Sequence, residues 1–243
     1  MSYVEHLVGS RLVSCTWEQR IEVGHEQRIV PDGCVDLVWS EKRLTVAGPD
    51  THSRLVALAP GTRIVGVRLR PGAAGTALGL PASELRDLVA DGAEVLGRDA
   101  IAKLLEELET AHDPHAILIA ALERSPTTAP DPVVHAAVVA LNRPEARVAS
   151  VAAELGLSAR QLQRRVSDAV GYGPKTLARV LRFRRLQALA AARTDQNGAS
   201  TAGLVALALD AGYADQAHMT AEVTRLAGLS PVRFLKDRTP TAA

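Results

Sequence analysis

Two stretches of this chain repeat one another. VASVAAELGLSARQLQRRVSDAVGYGPKTL occupies residues 148–177, and LVALALDAGYADQAHMTAEVTRLAGLSPVRFL occupies residues 204–235. Val148, Val151, Ala152 and Gly156 align with Leu204, Leu207, Ala208 and Gly212 at a constant offset of 56. Leu162, Val166, Gly171, Pro174 and Leu177 align with Met219, Val223, Gly228, Pro231 and Phe234 at an offset of 57, one residue having entered the turn. Nine matches in one order constrain the fold more than any compositional feature, because both copies must build the same unit.

That unit has the physics of a helix-turn-helix. A small residue, Ala152 or Ala208, lets two helices approach closely, and Gly156 or Gly212 sits where a turn can use positive φ. Ser158 is placed to cap the second helix of the first unit, and Asp215 that of the other. Leu162 and Val166 share an inward face, as do Met219 and Val223, which leaves the opposite face free to enter a major groove. In the first unit that face carries Arg160, Gln163, Arg164 and Arg165. The bland alternative for so charged a face is simple solvation. Helices are expected at 133–142, 148–155, 158–169, 174–194, 201–211, 214–226 and 231–237, with a break at Asp195-Gln196-Asn197-Gly198. The connector from Pro174 spans roughly 30 Å at 1.5 Å per residue. Successive major-groove faces on one side of DNA lie roughly 34 Å apart, so this helix could hold two recognition helices one turn apart. It carries Arg179, Arg182, Arg184 and Arg185.

Charge divides the chain although it nearly cancels overall. The 243 residues carry a net +1, but residues 1–132 carry −6 and residues 133–243 carry +7. The change of sign coincides with SPTTAPDP at 125–132, whose three prolines read as a linker. The expected organisation is therefore a β-rich domain with helices at 1–124, a linker at 125–132 and a DNA-binding domain at 133–243. The fold class is α+β: a small β-barrel or sandwich with following helices, then an all-α domain of two helix-turn-helix units joined by a long helix. In the first half, alternation and β-branched residues predict strands at 11–17, 26–30, 34–39, 43–47, 54–58 and 63–69. Helices are predicted at 81–90, 98–110 and 114–124.

At the repeat, the sequence resembles the AraC/XylS family of bacterial transcription regulators, over about residues 133–238. Each unit closes on a Gly-x-x-Pro segment, Gly171-Tyr172-Gly173-Pro174 and Gly228-Leu229-Ser230-Pro231. The second also carries the family's run as Gly212-Tyr213-Ala214-Asp215-Gln216-Ala217-His218-Met219-Thr220-Ala221-Glu222-Val223. It departs at Ala221, where that pattern has arginine, with Glu222 following. The resemblance implies sequence-specific binding to double-stranded DNA. A first recognition helix would present Arg160, Gln163 and Arg164, with Arg165 beside them. A second would present Gln216, Ala217, His218 and Thr220, with Arg182 contacting DNA from the connector. Arginine pairs bidentately with guanine and glutamine with adenine. The β-rich half, through RIVPDGCVDLVW at 28–39, AGPDT at 47–51 and RLRPGAA at 68–74, is similar to N-terminal sensor or dimerisation domains of some members. The resemblance leaves open a small-molecule effector, a homodimer, contact with RNA polymerase, and whether the protein activates or represses.

No catalytic residue, metal or cofactor is expected. Cys15 and Cys34 cannot form a four-thiolate zinc site and read as small core residues. His25, Glu26 and His52 lack the close spacing of a metal-binding barrel. Trp17 and Trp39 either line an effector pocket or, as such a pair more often does in a small barrel, pack in the core, and Asp32 reads as a turn residue. Asp36 faces either a polar barrel interior or solvent. The N-terminus shows no signal-peptide pattern and no run approaches ~18 apolar residues, so a cytoplasmic protein with no membrane partner is expected. Two alternatives differ in class. One is a DNA-repair or small-molecule-modifying enzyme domain fused to a DNA-binding tail. The other is a ligand-binding barrel that has lost DNA binding.

Overall fold

A computed structural model of the chain describes residues 2–124, 129–194 and 201–237. In the first half, β1 (Ser2–Leu7), β2 (Val13–Arg20), β4 (Asp36–Ser40), β5 (Arg43–Ala47), β7 (Arg63–Leu69) and β8 (Val89–Asp91) form one sheet. Its order is β1-β2-β7-β4-β5-β8. A separate antiparallel pair, β3 (His25–Ile29) and β6 (Arg54–Leu58), faces it. Helices α1 (Ala74–Leu78), α2 (Gly92–Leu96), α3 (Arg98–Thr110) and α4 (Pro114–Glu123) follow.

Strand alternation divides this half into two layers. Leu37, Leu44, Val46, Val65, Val67 and Leu69 face α3 and α4, where they join Ile101, Leu104, Leu108, Leu118 and Leu122 in one core. Their neighbours Asp36, Val38, Thr45, Ala47, Ile64 and Arg68 point the other way, toward β3 and β6. On β2 the register shifts between Val13 and Cys15. The extra residue there moves Cys15, Trp17 and Gln19 onto the second face while Val13 stays on the first.

The predicted strands all form, and β5, β6 and β7 keep their predicted bounds. Several features differ, among them the short helices α1 and α2, which the sequence pattern did not suggest. Residues 81–90 are not one helix: Pro81 leads into a 3₁₀ turn at Ala82–Leu85, Asp87 adopts φ +58°, and β8 then pairs with β5. A long-range ladder overrides local helical spacing there. β1, which the sequence pattern did not suggest, adds an exposed edge beside β2.

The second half is helical: α5 (Pro132–Leu141), α6 (Val148–Glu154), α7 (Ala159–Val170), α8 (Pro174–Thr194), α9 (Thr201–Asp210), α10 (Gln216–Ala227) and α11 (Pro231–Lys236). Of the expected linker, residues 125–128 lie outside the described residues, and Pro132 already opens α5, capped by the Asp131 carboxylate. The expected break at 195–198 also lies outside them. Both units turn on glycines of positive φ, +66° at Gly156 and +89° at Gly212. Ser158 and Gln161 form a reciprocal capping box on α7, and Asp215 caps α10 through the His218 amide at 2.7 Å. Leu162, Val166, Met219, Val223, Phe183 and Phe234 share one core. Among the described residues no helix is long and apolar enough to cross a membrane.

Candidate nucleic-acid interface and a polar cavity

The two recognition helices present different chemistry. On α7, Arg160, Gln163, Arg164 and Arg165 are all exposed. Arg160 and Arg164 lie one turn apart and make no ion pair among the described residues. Gln163 donates its amide to the Ser167 hydroxyl at 3.0 Å and lies against Gly173. Arg165 points elsewhere, toward α1, and pairs with Asp131 at 3.0 Å. On α10, Gln216, Ala217, Thr220, Ala221 and Thr224 together line a shallow, open, uncharged surface.

Two residues expected at the DNA are engaged inside the domain. Arg182 pairs with Glu222 at 2.9 Å, and its guanidinium lies 5.4 Å from the Tyr213 ring centre. His218 meets the same carboxylate at 3.2 Å and packs edge-on against Tyr213. Arg179 adds a third contact to Glu222 at 3.4 Å. Glu222, 15% exposed, is thus surrounded by cationic and imidazole groups and does not confront the α10 face. The other connector arginines are occupied as well. Arg185 donates to the Ala211 carbonyl and the Asn142 amide oxygen, and Arg184 donates to the Asp32 carbonyl at 3.2 Å. Spacing along α8 alone could not reveal these partners, most of which lie in other elements.

Between the large sheet and the β3–β6 pair lies a cavity of about 230 Å³. Trp17, Ile29, Val38, Val56, Leu58 and Ile64 supply its apolar wall. The polar wall is built around Arg68, which is 5% exposed. Its guanidinium clasps Asp36 through two bonds of 2.9 Å and reaches Asp32 at 3.1 Å. The Trp17 indole donates to Asp36 at 3.2 Å, and Gln19 donates to Gln27 at 2.6 Å. Nη1 of Arg68 is buried without a partner. Burial pushes the Asp36 carboxyl above its ordinary range against the opposing pull of Arg68. Burial also disfavours the Arg68 charge, but the two aspartates outweigh it and hold the guanidinium protonated. Of the two readings of Asp36, the polar interior is the one observed. Asp36 and Arg68 are cross-strand partners on β4 and β7, with Leu37 and Trp39 packed on the opposite face. Asp32 shapes its turn by accepting from the Cys34 amide, as expected, but its carboxylate also belongs to the cavity.

The cavity wall touches the DNA-binding half directly. Val30 belongs to the helical core, and a Cβ on Gly33 would meet Tyr172, Leu177 and Val180 at 3.4 to 3.9 Å. Arg28 donates to the Ala227 carbonyl at the end of α10 at 3.0 Å. Burial raises both cysteine thiols, Cys15 to about 11 and Cys34 further, so each stays protonated at neutral pH. Among the described residues no group of three or more histidine, cysteine or carboxylate side chains could hold a metal ion.

Fold and surface together define a pair of helix-turn-helix units behind a β-rich N-terminal domain. Residues 151–237 match the model of a family described as a helix-turn-helix domain, and residues 10–91 match one described as a domain of unknown function, DUF6597. Residues 151–237 thus carry a helix-turn-helix domain of the AraC type. No curated protein sequence matches the chain. Similar solved structures include ToxT from Vibrio cholerae O395, 12% identical over 93% of this chain and 98% of that one, with a TM-score of 0.46. Another crystal form of Vibrio cholerae ToxT is 11% identical over 99% and 100% of the two chains, with a TM-score of 0.42. Unsaturated fatty acid-bound ToxT from strain SCE256 is 9% identical over 96% of each chain, also with a TM-score of 0.42.

Proposed function

We propose that this regulator binds a specific duplex site through α7 and α10, and that a small ligand in the N-terminal cavity controls that binding. Arg160 and Arg164 are the principal base- and phosphate-binding groups of the first unit, supported by Gln163. Arg165, Arg182 and His218 act mainly within the protein, holding the units to their neighbours. The ligand is a small metabolite, since about 230 Å³ falls below the ~300–1,000 Å³ of pockets for drug-sized molecules.

The observation that carries the regulatory part is the double role of Asp32. Its carboxylate binds Arg68 in the cavity wall while its carbonyl accepts from Arg184 on the connector helix. A ligand that displaces Asp32 must therefore disturb α8, on which both units are mounted. Neither alternative class gains support. A reactive-cysteine enzyme needs a thiolate, and burial holds both thiols protonated. Loss of DNA binding is the reading consistent with Ala221 and Glu222, and the Glu222 charge is compensated internally. Dimerisation and contact with RNA polymerase are carried into this proposal by the family resemblance; sedimentation with and without DNA tests the former.

The test uses the full chain and a duplex selected from a random library, with binding read by fluorescence anisotropy. Arg164→Ala should weaken binding roughly tenfold, whereas Arg98→Ala, exposed on α3, should leave it unchanged. Equal effects would overturn the assignment. A panel of small metabolites screened by tryptophan emission tests the cavity. A hit must alter DNA affinity, and must lose its effect in Val38→Trp, which fills the cavity.

A further inference from the structure

The two recognition faces differ so much that they cannot read similar DNA. Arg160 and Arg164 on α7 offer exposed guanidinium forks, which suit the paired acceptors O6 and N7 of guanine. The α10 face offers no charge among Gln216, Ala217, Thr220, Ala221 and Thr224. The Thr220 hydroxyl donates to the Gln216 carbonyl at 2.8 Å, so its proton is already used within the helix. The γ-methyl of Thr220 and the methyls of Ala217 and Ala221 remain as apolar contacts. Glu222, the one carboxylate inside α10, could accept from cytosine N4, but Arg179, Arg182 and His218 hold it. This surface therefore lacks a cation for guanine and a free carboxylate for cytosine. It retains methyl groups, which suit the thymine C5-methyl, and one amide, which suits adenine N6 and N7. Arg225 stands in the last turn of α10, away from the N-terminal residues that approach base edges in this motif.

We infer that the chain reads a bipartite operator, with a guanine-containing half under α7 and an A·T half read through thymine methyls under α10, about one duplex turn apart. This inference rests on the DNA-binding reading above and specifies its partner. Affinity comes mainly from the first half, and the second contributes selectivity with little salt dependence.

The experiment is selection by the full-length protein from a duplex library randomised over about 30 base pairs, followed by affinity measurements on the selected duplex. Replacing thymine by uracil in the A·T half should weaken binding roughly fourfold for each contacted methyl, the equivalent of one buried methylene-sized group. Thr220→Ser removes the matching methyl while keeping the hydroxyl. It should weaken binding to the thymine duplex about fourfold and abolish the further loss on uracil substitution at its contact. Arg164→Ala should relax the guanine preference and leave the uracil effect intact. Binding that is indifferent to uracil, or a guanine-dependent half under α10, would overturn the inference while leaving DNA binding in place. Retention of no duplex even at low salt would overturn the DNA-binding reading, and the inference with it.

Discussion

Replacing Arg68 by methionine tests whether the polar wall of the cavity is held by charge balance. The change keeps much of the aliphatic stem but removes three contacts, two to Asp36 at 2.9 Å and one to Asp32 at 3.1 Å. Removing one partner of a buried ion pair costs about 3–5 kcal/mol, because the other charge is left uncompensated. Tryptophan emission follows the unfolding well: the chain has two tryptophans, Trp17 and Trp39, both in this half, and Trp17 donates to Asp36. With an m-value of about 2 kcal/mol/M, the urea midpoint should fall by roughly 2 M. The variant also acquires a signature in pH. Burial already raises Asp36, and without the opposing pull of Arg68 it should rise further. The folded state then binds more protons than the unfolded chain above the ordinary aspartate range. Stability is fully present below that range and lost as pH rises through the folded value of Asp36, at up to about 1.4 kcal/mol per pH unit. Arg68→Met should therefore lose most of its deficit on acidification. Adding Asp32→Asn and Asp36→Asn should recover stability at neutral pH. A loss under about 1 kcal/mol, or a deficit independent of pH, would refute the charge-balance account.

Other consequences follow from single contacts. A Cβ on Gly66 would lie 2.1 Å from the Trp17 ring, so Gly66→Ala should displace the indole, break its bond to Asp36 and cost about 2–4 kcal/mol; an unchanged urea midpoint and emission maximum would contradict this. Glu222→Gln frees Arg179 and Arg182, so non-specific DNA binding should strengthen and its salt slope steepen by roughly one unit, measured by titrating salt against anisotropy. Glu18 is held down to about 2 by its hydrogen bond to Arg63, opposed by burial and assisted by Arg20. Its contribution to stability is present above the ordinary glutamate range and disappears as pH falls from there toward 2, so Glu18→Gln should flatten that part of the acid limb in urea titrations.

The helical half was legible because its determinants are local. Capping at Ser158 and Asp215, the glycine turns and the inward stripes all lie within a few residues of what they control. The β-rich half was legible as strands, but its pairing was not. β1 is largely exposed, and β8 exists only because it pairs with β5. The same limit applies to the sites. The exposed Arg160 and Arg164 could be read from a helical period. Arg182 could not, because its partner Glu222 lies 40 residues away on another helix. The Asp36–Arg68 pair was half visible: each residue sits on the face opposite an apolar stripe, but only the β4–β7 register brings them together.

On the proposed function, the domain interface is the route by which a small cavity would influence a long DNA site. Arg28 and Ser53 lie at the end of α10, where Arg28 grips the Ala227 carbonyl and a Cβ on Gly228 would meet Ser53 at 3.3 Å. Pro49 and Ala82 meet Gly171 at the end of α7, so closely that a Cβ there would come within 2.4 Å of Pro49. Asp32 and Gly33 rest on the start and middle of α8. The N-terminal domain thus touches both recognition helices and the helix between them, through chain segments that also contribute Val30, Asp32, Gly48 and Asp50 to the cavity. Under that proposal, a shift of these segments would alter the relative pose of α7 and α10, and the duplex, whose groove spacing is fixed, would select among those poses. Coupling of this kind is reciprocal. A ligand that strengthens operator binding tenfold must itself bind tenfold more tightly to the operator complex. Equal ligand affinities for the free and DNA-bound protein, measured by calorimetry, would show that the cavity and the interface do not communicate.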